Sequence, residues 1–299
     1  MTSIDDIDTA RRGGSHPRLI VRRSAPDIVD VDGAVPADMA VRLAFEVMGE
    51  GRPVVILHDL LGSGDESVAL AEPLARSHRV LLPDARNHGD SPWTRSMSYC
   101  AMAEDLESLI TQERLHRPIL VGHGMGGKTA MVLALTQPQA IAALVVIDSV
   151  PSLGAASYHD TLAALCDIEL GTTCSPSDLR AMLVTRLGPG APVDLLLRNV
   201  RRQGDRLDWR FNLPGIRSAT EDLIGFPRAP DRWRYDGPTL FLNSDGSDVR
   251  GPEMSTRIAE LFPAASLRSL LDYHPWPSTH PYAASRRAVI DWLSNAATK

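Results

Sequence analysis

The chain has 299 residues, 43% of them hydrophobic and 23% charged, which excludes a disordered chain and suffices for one large core with an inserted subdomain. A formal net charge of -6 argues against nucleic acid or an anionic membrane as partner, since both attract basic faces. The basic side chains are nearly all arginine, Lys128 and Lys299 being the lysines, a bias that reads as coding preference. Cys100, Cys166 and Cys174 are odd in number and lack metal-ligand spacing, so neither a disulfide framework nor a metal centre is expected, and a reducing cytoplasm fits.

Residues 1–16 are polar, contain Gly13-Gly14 and read as a loose tail, with Asp5, Asp6, Asp8, Arg11 and Arg12 breaking any run of signal-peptide type. No apolar run reaches the roughly 18 to 20 residues of a membrane span. From residue 17 short apolar runs alternate with longer amphipathic ones, the rhythm of a mostly parallel sheet covered by helices. Predicted strands are 39–46, 53–58, 79–83, 119–122, 142–148, 239–243 and 266–271, and predicted helices are 66–77, 99–113, 125–136, 253–261 and 282–295. Between residues 151 and 232 strand alternation stops. Helix-like segments at 160–168, 177–186 and 193–200 are separated there by Gly and Pro, which predicts a helical cap. The expected organisation is therefore a core in two parts, 17–150 and 233–299, with a cap over 151–232. Internal repeats and low-complexity segments are not found.

Pro118-Ile119-Leu120-Val121-Gly122-His123-Gly124-Met125-Gly126-Gly127 reads as a buried strand turning sharply into a helix, the setting of the Gly-x-Ser-x-Gly nucleophile elbow. Gly124 stands where the serine would be. Without Oγ no acyl-enzyme can form at this position.

Several segments, in order, resemble the α/β-hydrolase fold family, and within it the branch of small acyl-esterases and thioesterases that includes abhydrolase domain-containing protein 11. They are Val54 to Ser63, Asp84-Ala85-Arg86-Asn87-His88-Gly89-Asp90-Ser91, Met97-Ser98-Tyr99, Gly122 to Ala130, and Trp209-Arg210-Phe211-Asn212-Leu213, within a similarity running from about Ala40 to Leu293. The resemblance implies a mostly parallel eight-stranded sheet flanked by helices. It also implies a histidine base before the last helix, at His274 with His280 as competitor. The orienting acid is implied at Asp148, or at Asp245 or Asp248; some relatives place an aspartate where this chain has Pro214. The backbone N–H groups of Leu60 and Met125 are the implied oxyanion donors. Asp59 departs from the family's His-Gly, and a carboxylate entering the site would repel an oxyanion.

Several motif residues have a plainer structural reading beside the catalytic one. His58, His123, Arg86, His88, Asp90 and Lys128 read as braces, Trp209, Phe211 and Trp233 as core, and Asp59 as either a turn cap or a second proton-transfer group. Cys100 lies on a predicted helix away from the elbow. The expectation for function is a cofactor-independent acid/base enzyme of lyase, isomerase or cyclase type acting on a small, largely apolar metabolite, with His274 and Asp148 moving protons and Asp248 as alternative partner. Residual ester or thioester hydrolysis by activated water and non-catalytic ligand binding are the alternatives. Oligomeric state is not encoded in any of these features.

Overall fold

The computed structural model describes residues 39–152, 157–168, 170–171, 175–188, 191–228, 230, 232–244, 251–270 and 283–296. The strands are β1 (Phe45–Met48), β2 (Arg52–Leu57), β3 (His78–Pro83), β4 (Ile119–His123), β5 (Ala143–Ile147), β6 (Val200–Gln203), β7 (Arg206–Trp209), β8 (Thr239–Ser244) and β9 (Ala265–Leu270). The main sheet has seven of them, in the order β1-β3-β2-β4-β5-β8-β9, where eight are expected from sequence; the count covers the described residues. Pairing is parallel throughout except at the edge, where β1 runs antiparallel to β3.

The continuous apolar runs follow from burial on both faces. Val55, Leu57, Leu81, Leu120, Leu144, Val146 and Phe241 point into one core cluster, which includes side chains of helices Tyr99–Gln112 and Met125–Thr136. Their strand neighbours Val54, Ile56, Val80, Leu82, Val121, Val145 and Ile147 point into a second cluster with helices Val68–Leu74 and Ala283–Ala296. Alternating side chains of one strand thus feed two cores. The first strand begins later than predicted because the N–H groups of Val41 and Ala44 are already taken by Asp105 Oδ1 (2.6 Å) and Ser91 Oγ (2.8 Å).

The segment between β5 and β8 contains helices Ser157–Cys166, Pro176–Leu187, Val193–Arg198, Leu213–Ser218 and Thr220–Ile224. It also contains a hairpin of β6 and β7, which corrects the purely helical expectation. The missed signal is Gly204-Asp205: Gly204 has φ 62°, and pairing of Gln203 with Arg206 leaves these two residues as the turn. A two-residue hairpin favours glycine at its first central position.

Polar side chains fasten this insertion to the loops after β2 and β3. Arg210 donates to Asp65 (2.8 Å) and lies 3.6 Å from Asp90, while Asn212 Nδ2 donates to Asn87 Oδ1 at 3.0 Å. Beneath them the fully buried Arg86 pairs with Asp105 through two nitrogens, at 2.6 and 2.7 Å, and donates to the carbonyls of Ser96, Met39 and Ala101. Removing one partner of such a pair leaves an uncompensated buried charge, a loss of about 3 to 5 kcal/mol.

Glu66 is the exception among these charges, because its hydrogen-bond partners are neutral. Asn199 Nδ2 and the Ser63 N–H donate to Oε1 at 3.0 and 3.1 Å, and burial outweighs both, pushing the carboxyl up to about 8. A carboxyl raised above its unfolded value of 4.5 stabilises the fold fully below that pH, and the contribution is lost as pH climbs through 8. Glu66→Gln keeps the acceptor without the titration. We expect its thermal midpoint to match the wild type near pH 4.5 and to exceed it progressively up to pH 8. The advantage grows by at most ~1.4 kcal/mol for each pH unit crossed. Parallel wild-type and variant melting curves across that range would refute the assignment.

Candidate active site

The loops after β2, β3, β4 and β5 all leave the same carboxyl edge of the parallel strands, where open α/β sheets form their ligand crevices. The elbow is the tightest of them. Gly124 has φ 49° and ψ -113°, in the region that side chains enter only with strain. Its N–H donates to Ile147 O at 3.0 Å, and its carbonyl receives the Lys128 N–H at 3.1 Å as the helix opens. Gly126 fits because a Cβ there would lie 2.6 Å from His58 O, leaving no room for a side chain between helix and strand.

Opposite the elbow, Asp59 turns its half-buried side chain inward. Oδ1 accepts the Leu60 N–H and the Met125 N–H, each at 2.7 Å. These are the two donors that the family resemblance implies for an oxyanion, and here a carboxylate oxygen of the same chain holds both. A Cβ built on Gly124 would overlap Oδ1 and Cγ of Asp59. The inward carboxylate and any side chain at position 124 therefore compete for one volume.

The Asp59 carbonyl is held by His58, and the neighbouring loop by a second imidazole, His88. His58 Nε2 accepts the Ala85 N–H (2.9 Å), which assigns the proton to Nδ1, and Nδ1 donates to the Asp59 carbonyl (2.7 Å). His88 repeats the pattern, with Nε2 accepting from Leu61 N–H at 3.1 Å and Nδ1 facing Arg86 O at 3.0 Å. Burial lowers the two rings to about 4 and about 3, so both are neutral braces. Asp84 works alongside them, accepting the N–H groups of Gly64 and Asp90 at 2.8 Å each, with burial raising it to about 6. Leu61, Asn87 and Asp148 have φ of 63°, 65° and 46°, so three non-glycine residues in left-handed conformation surround the site.

Asp148, at the end of β5, is half-buried, with Oδ2 at 4.0 Å from His123 Nε2. His274, His280, Asp245 and Asp248 lie outside the described residues. Pro214 sits at the start of helix Leu213–Ser218 and lines a groove of about 530 Å³ with Leu165, Ile168 and Trp209. Trp209 and Phe211 are buried and stack at 4.9 Å, and Trp233 packs against the same cluster, as core residues do. Cys100 is exposed, and partial loss of water around its thiol, together with the charges of Glu104 and Asp222, raises its pKa, the opposite of an activated nucleophile.

Lys128 enters the elbow helix from the floor of the site and reaches the insertion. Its Nζ donates to the carbonyls of Ser152 (3.0 Å), Ile224 (2.9 Å) and Gly225 (2.8 Å), and burial lowers it to about 8. Tyr99 adds a parallel tie, its hydroxyl donating to Leu223 O at 2.7 Å. Among the described residues no three His, Cys, Asp or Glu side chains group as metal ligands, and no helix is long and apolar enough to cross a membrane.

Residues 52–164 match the model of the alpha/beta hydrolase fold family. The sn-1-specific diacylglycerol lipase ABHD11 of Mus musculus is 36% identical over 249 residues, covering 81% of this chain and 80% of that protein. Esterase YbfF of Escherichia coli is 28% identical over 244 residues, covering 81% of this chain and 93% of its own. Among solved structures, a marine microorganism esterase superposes with a TM-score of 0.77 at 30% identity, covering 85% of this chain and 98% of that one. Shared sequence over most of the chain, a shared sheet and the glycine-framed elbow place this protein in the α/β hydrolase fold family.

Proposed function

We propose that this chain is a cytoplasmic small-molecule enzyme whose pocket works without a serine acyl-enzyme. One observation carries the reading: Asp59 Oδ1 receives both oxyanion-type N–H groups beside a residue, Gly124, that offers no attacking atom. Acyl transfer needs that donor pair open to a developing negative charge, and a carboxylate within it opposes such charge. The chemistry left is proton transfer. In this reading His274 is the general acid or base, Asp148 orients it with Asp248 as the alternative, and the segment 151–232 caps the pocket. Gly124, Leu60 and Met125 form the wall where Asp59 rests. The lipase and esterase names of the relatives support a small, largely apolar metabolite as ligand, and the reaction is of lyase, isomerase or cyclase type, with no metal or organic cofactor required.

The second reading is hydrolysis of an activated ester or thioester by water. It is favoured by the Leu60 and Met125 N–H groups, which still converge as they would on an oxyanion.

Two experiments separate these readings. For any metabolite the protein converts, His274→Ala is expected to lower kcat by about 10² to 10⁴ with an unchanged circular dichroism spectrum. Turnover unaffected by this change removes the acid/base proposal. Gly124→Ser alone is expected to give no acyl-enzyme burst with p-nitrophenyl butyrate, because the new side chain collides with Asp59. Joined with Asp59→Gly it is expected to gain several orders of magnitude in ester hydrolysis, since losing the serine of a triad hydrolase costs on the order of 10⁶ in kcat. A burst from the single variant would show that Asp59 does not block the site.

A further inference from the structure

Asn199 pins the insertion to the turn after β2, and its amide is bonded on one side only. The residue is fully buried, and its carbonyl receives the Arg210 N–H at 2.8 Å where the hairpin of β6 and β7 closes. Nδ2 spends both protons, one on Glu66 Oε1 (3.0 Å) and one on Leu195 O (3.1 Å). Among the described residues Oδ1 meets no donor. The Glu66 carboxyl shares this enclosure, packed so closely on Gly62 that a Cβ there would lie 2.5 Å from Oε2. A buried acceptor without a donor and a buried carboxyl hydrogen-bonded to neutral groups are two costs that one proton removes. Placed on the carboxyl, that proton cancels the charge and creates an O–H donor, the group the amide oxygen lacks.

We infer that Glu66 and Asn199 form a proton-dependent latch between the turn after β2 and the insertion, closed as carboxylic acid plus amide and weakened when the acid ionises. The charged groups around Glu66 set the direction. Burial and Asp59, on the loop after β2, favour the acid, while Arg198, at the end of helix Val193–Arg198, favours the carboxylate and is outweighed. Neighbouring Asp65 is engaged by Arg210, and Asp84 by the Gly64 N–H. Opening returns the carboxyl from about 8 to its ordinary 4.5 in water, so opening releases a proton anywhere between those values. The latch therefore loosens as pH rises to 8 and changes no further above it. Asp84, raised to about 6, has ionised before the upper part of this interval. Lys128 ties the insertion elsewhere; lowered from 10.5 to about 8, it adds a dependence only above 8 and of opposite sign. The interval from 6 to 8 thus isolates Glu66 from both. The latch is independent of the chemistry proposed for the pocket.

The test is hydrogen–deuterium exchange of the full chain between pH 6 and 8, each rate being divided by that of an unprotected amide at the same pH. In the wild type, protection of residues 200–210 is expected to fall by up to about tenfold per pH unit. It should stay below that of β4 throughout, the mark of a local opening. Glu66→Gln offers acceptor and donor without titrating, and Glu66→Met offers neither. Both are expected to flatten the profile, the first at high protection and the second at low, so the slope is readable if one of them fails to fold. A purely structural hydrogen bond would leave the wild-type profile flat. That flat profile, a slope retained in either variant, or hairpin protection equal to that of β4, which would mean that the insertion leaves only with the whole fold, overturns the inference.

Discussion

Two backbone N–H groups, from Leu60 after β2 and Met125 after β4, converge on one carboxylate oxygen, and the rest of the site is arranged around that meeting. The convergence comes from packing constraints on the backbone on either side of the two loops. Parallel pairing of β2 with β4 sets Leu57 beside Gly122, and Gly126 lets the helix approach the backbone of Leu57 and His58 at the end of β2. With those positions set, any acceptor between the two loops finds both donors. Asp59 supplies the acceptor from within the chain and removes the need for water or a ligand to satisfy them.

The cost of this arrangement is spread over the neighbouring loops. A carboxylate half-removed from water, left-handed Leu61 and Asn87, and two uncharged imidazoles persist only because surrounding groups over-determine them. His58, His88 and Asp84 direct their ring nitrogens and carboxylate oxygens to backbone groups of adjacent loops. Arg86 and Asp105 anchor the same loops from below. These groups resemble catalytic residues in type and serve as scaffolding in fact, which is why the density of His and Asp around this edge overstates the number of proton-transfer groups.

Much of the fold was legible in the sequence because burial on both sheet faces writes uninterrupted apolar runs, and because the elbow glycines mark their turn by residue type. The helix after it was read to the residue, Met125–Thr136. The hairpin of β6 and β7 was not, since Arg201, Arg202 and Gln203 give β6 little apolar alternation and its register comes from the Gly204 turn. Asp59 was legible as a departure and not as a geometry: whether its carboxylate turned inward depended on a competition with position 124 that no local pattern records. Glu66 shows no such mark in the sequence, because its buried hydrogen bond forms only when Asn199 is brought to it from the insertion. His274 and Asp248 rest on family position alone.

Lys128 gives the arginine-rich composition a different meaning from coding preference. Its three ammonium protons meet three main-chain oxygens in a space closed by the Tyr99 ring, 5.5 Å from Nζ. A guanidinium is flat and spreads its donors in one plane, so it cannot address three oxygens disposed around a point. In a protein that otherwise chooses arginine for almost every positive charge, stereochemistry forbids that choice here, and the rivet joining elbow to insertion has to be a primary amine.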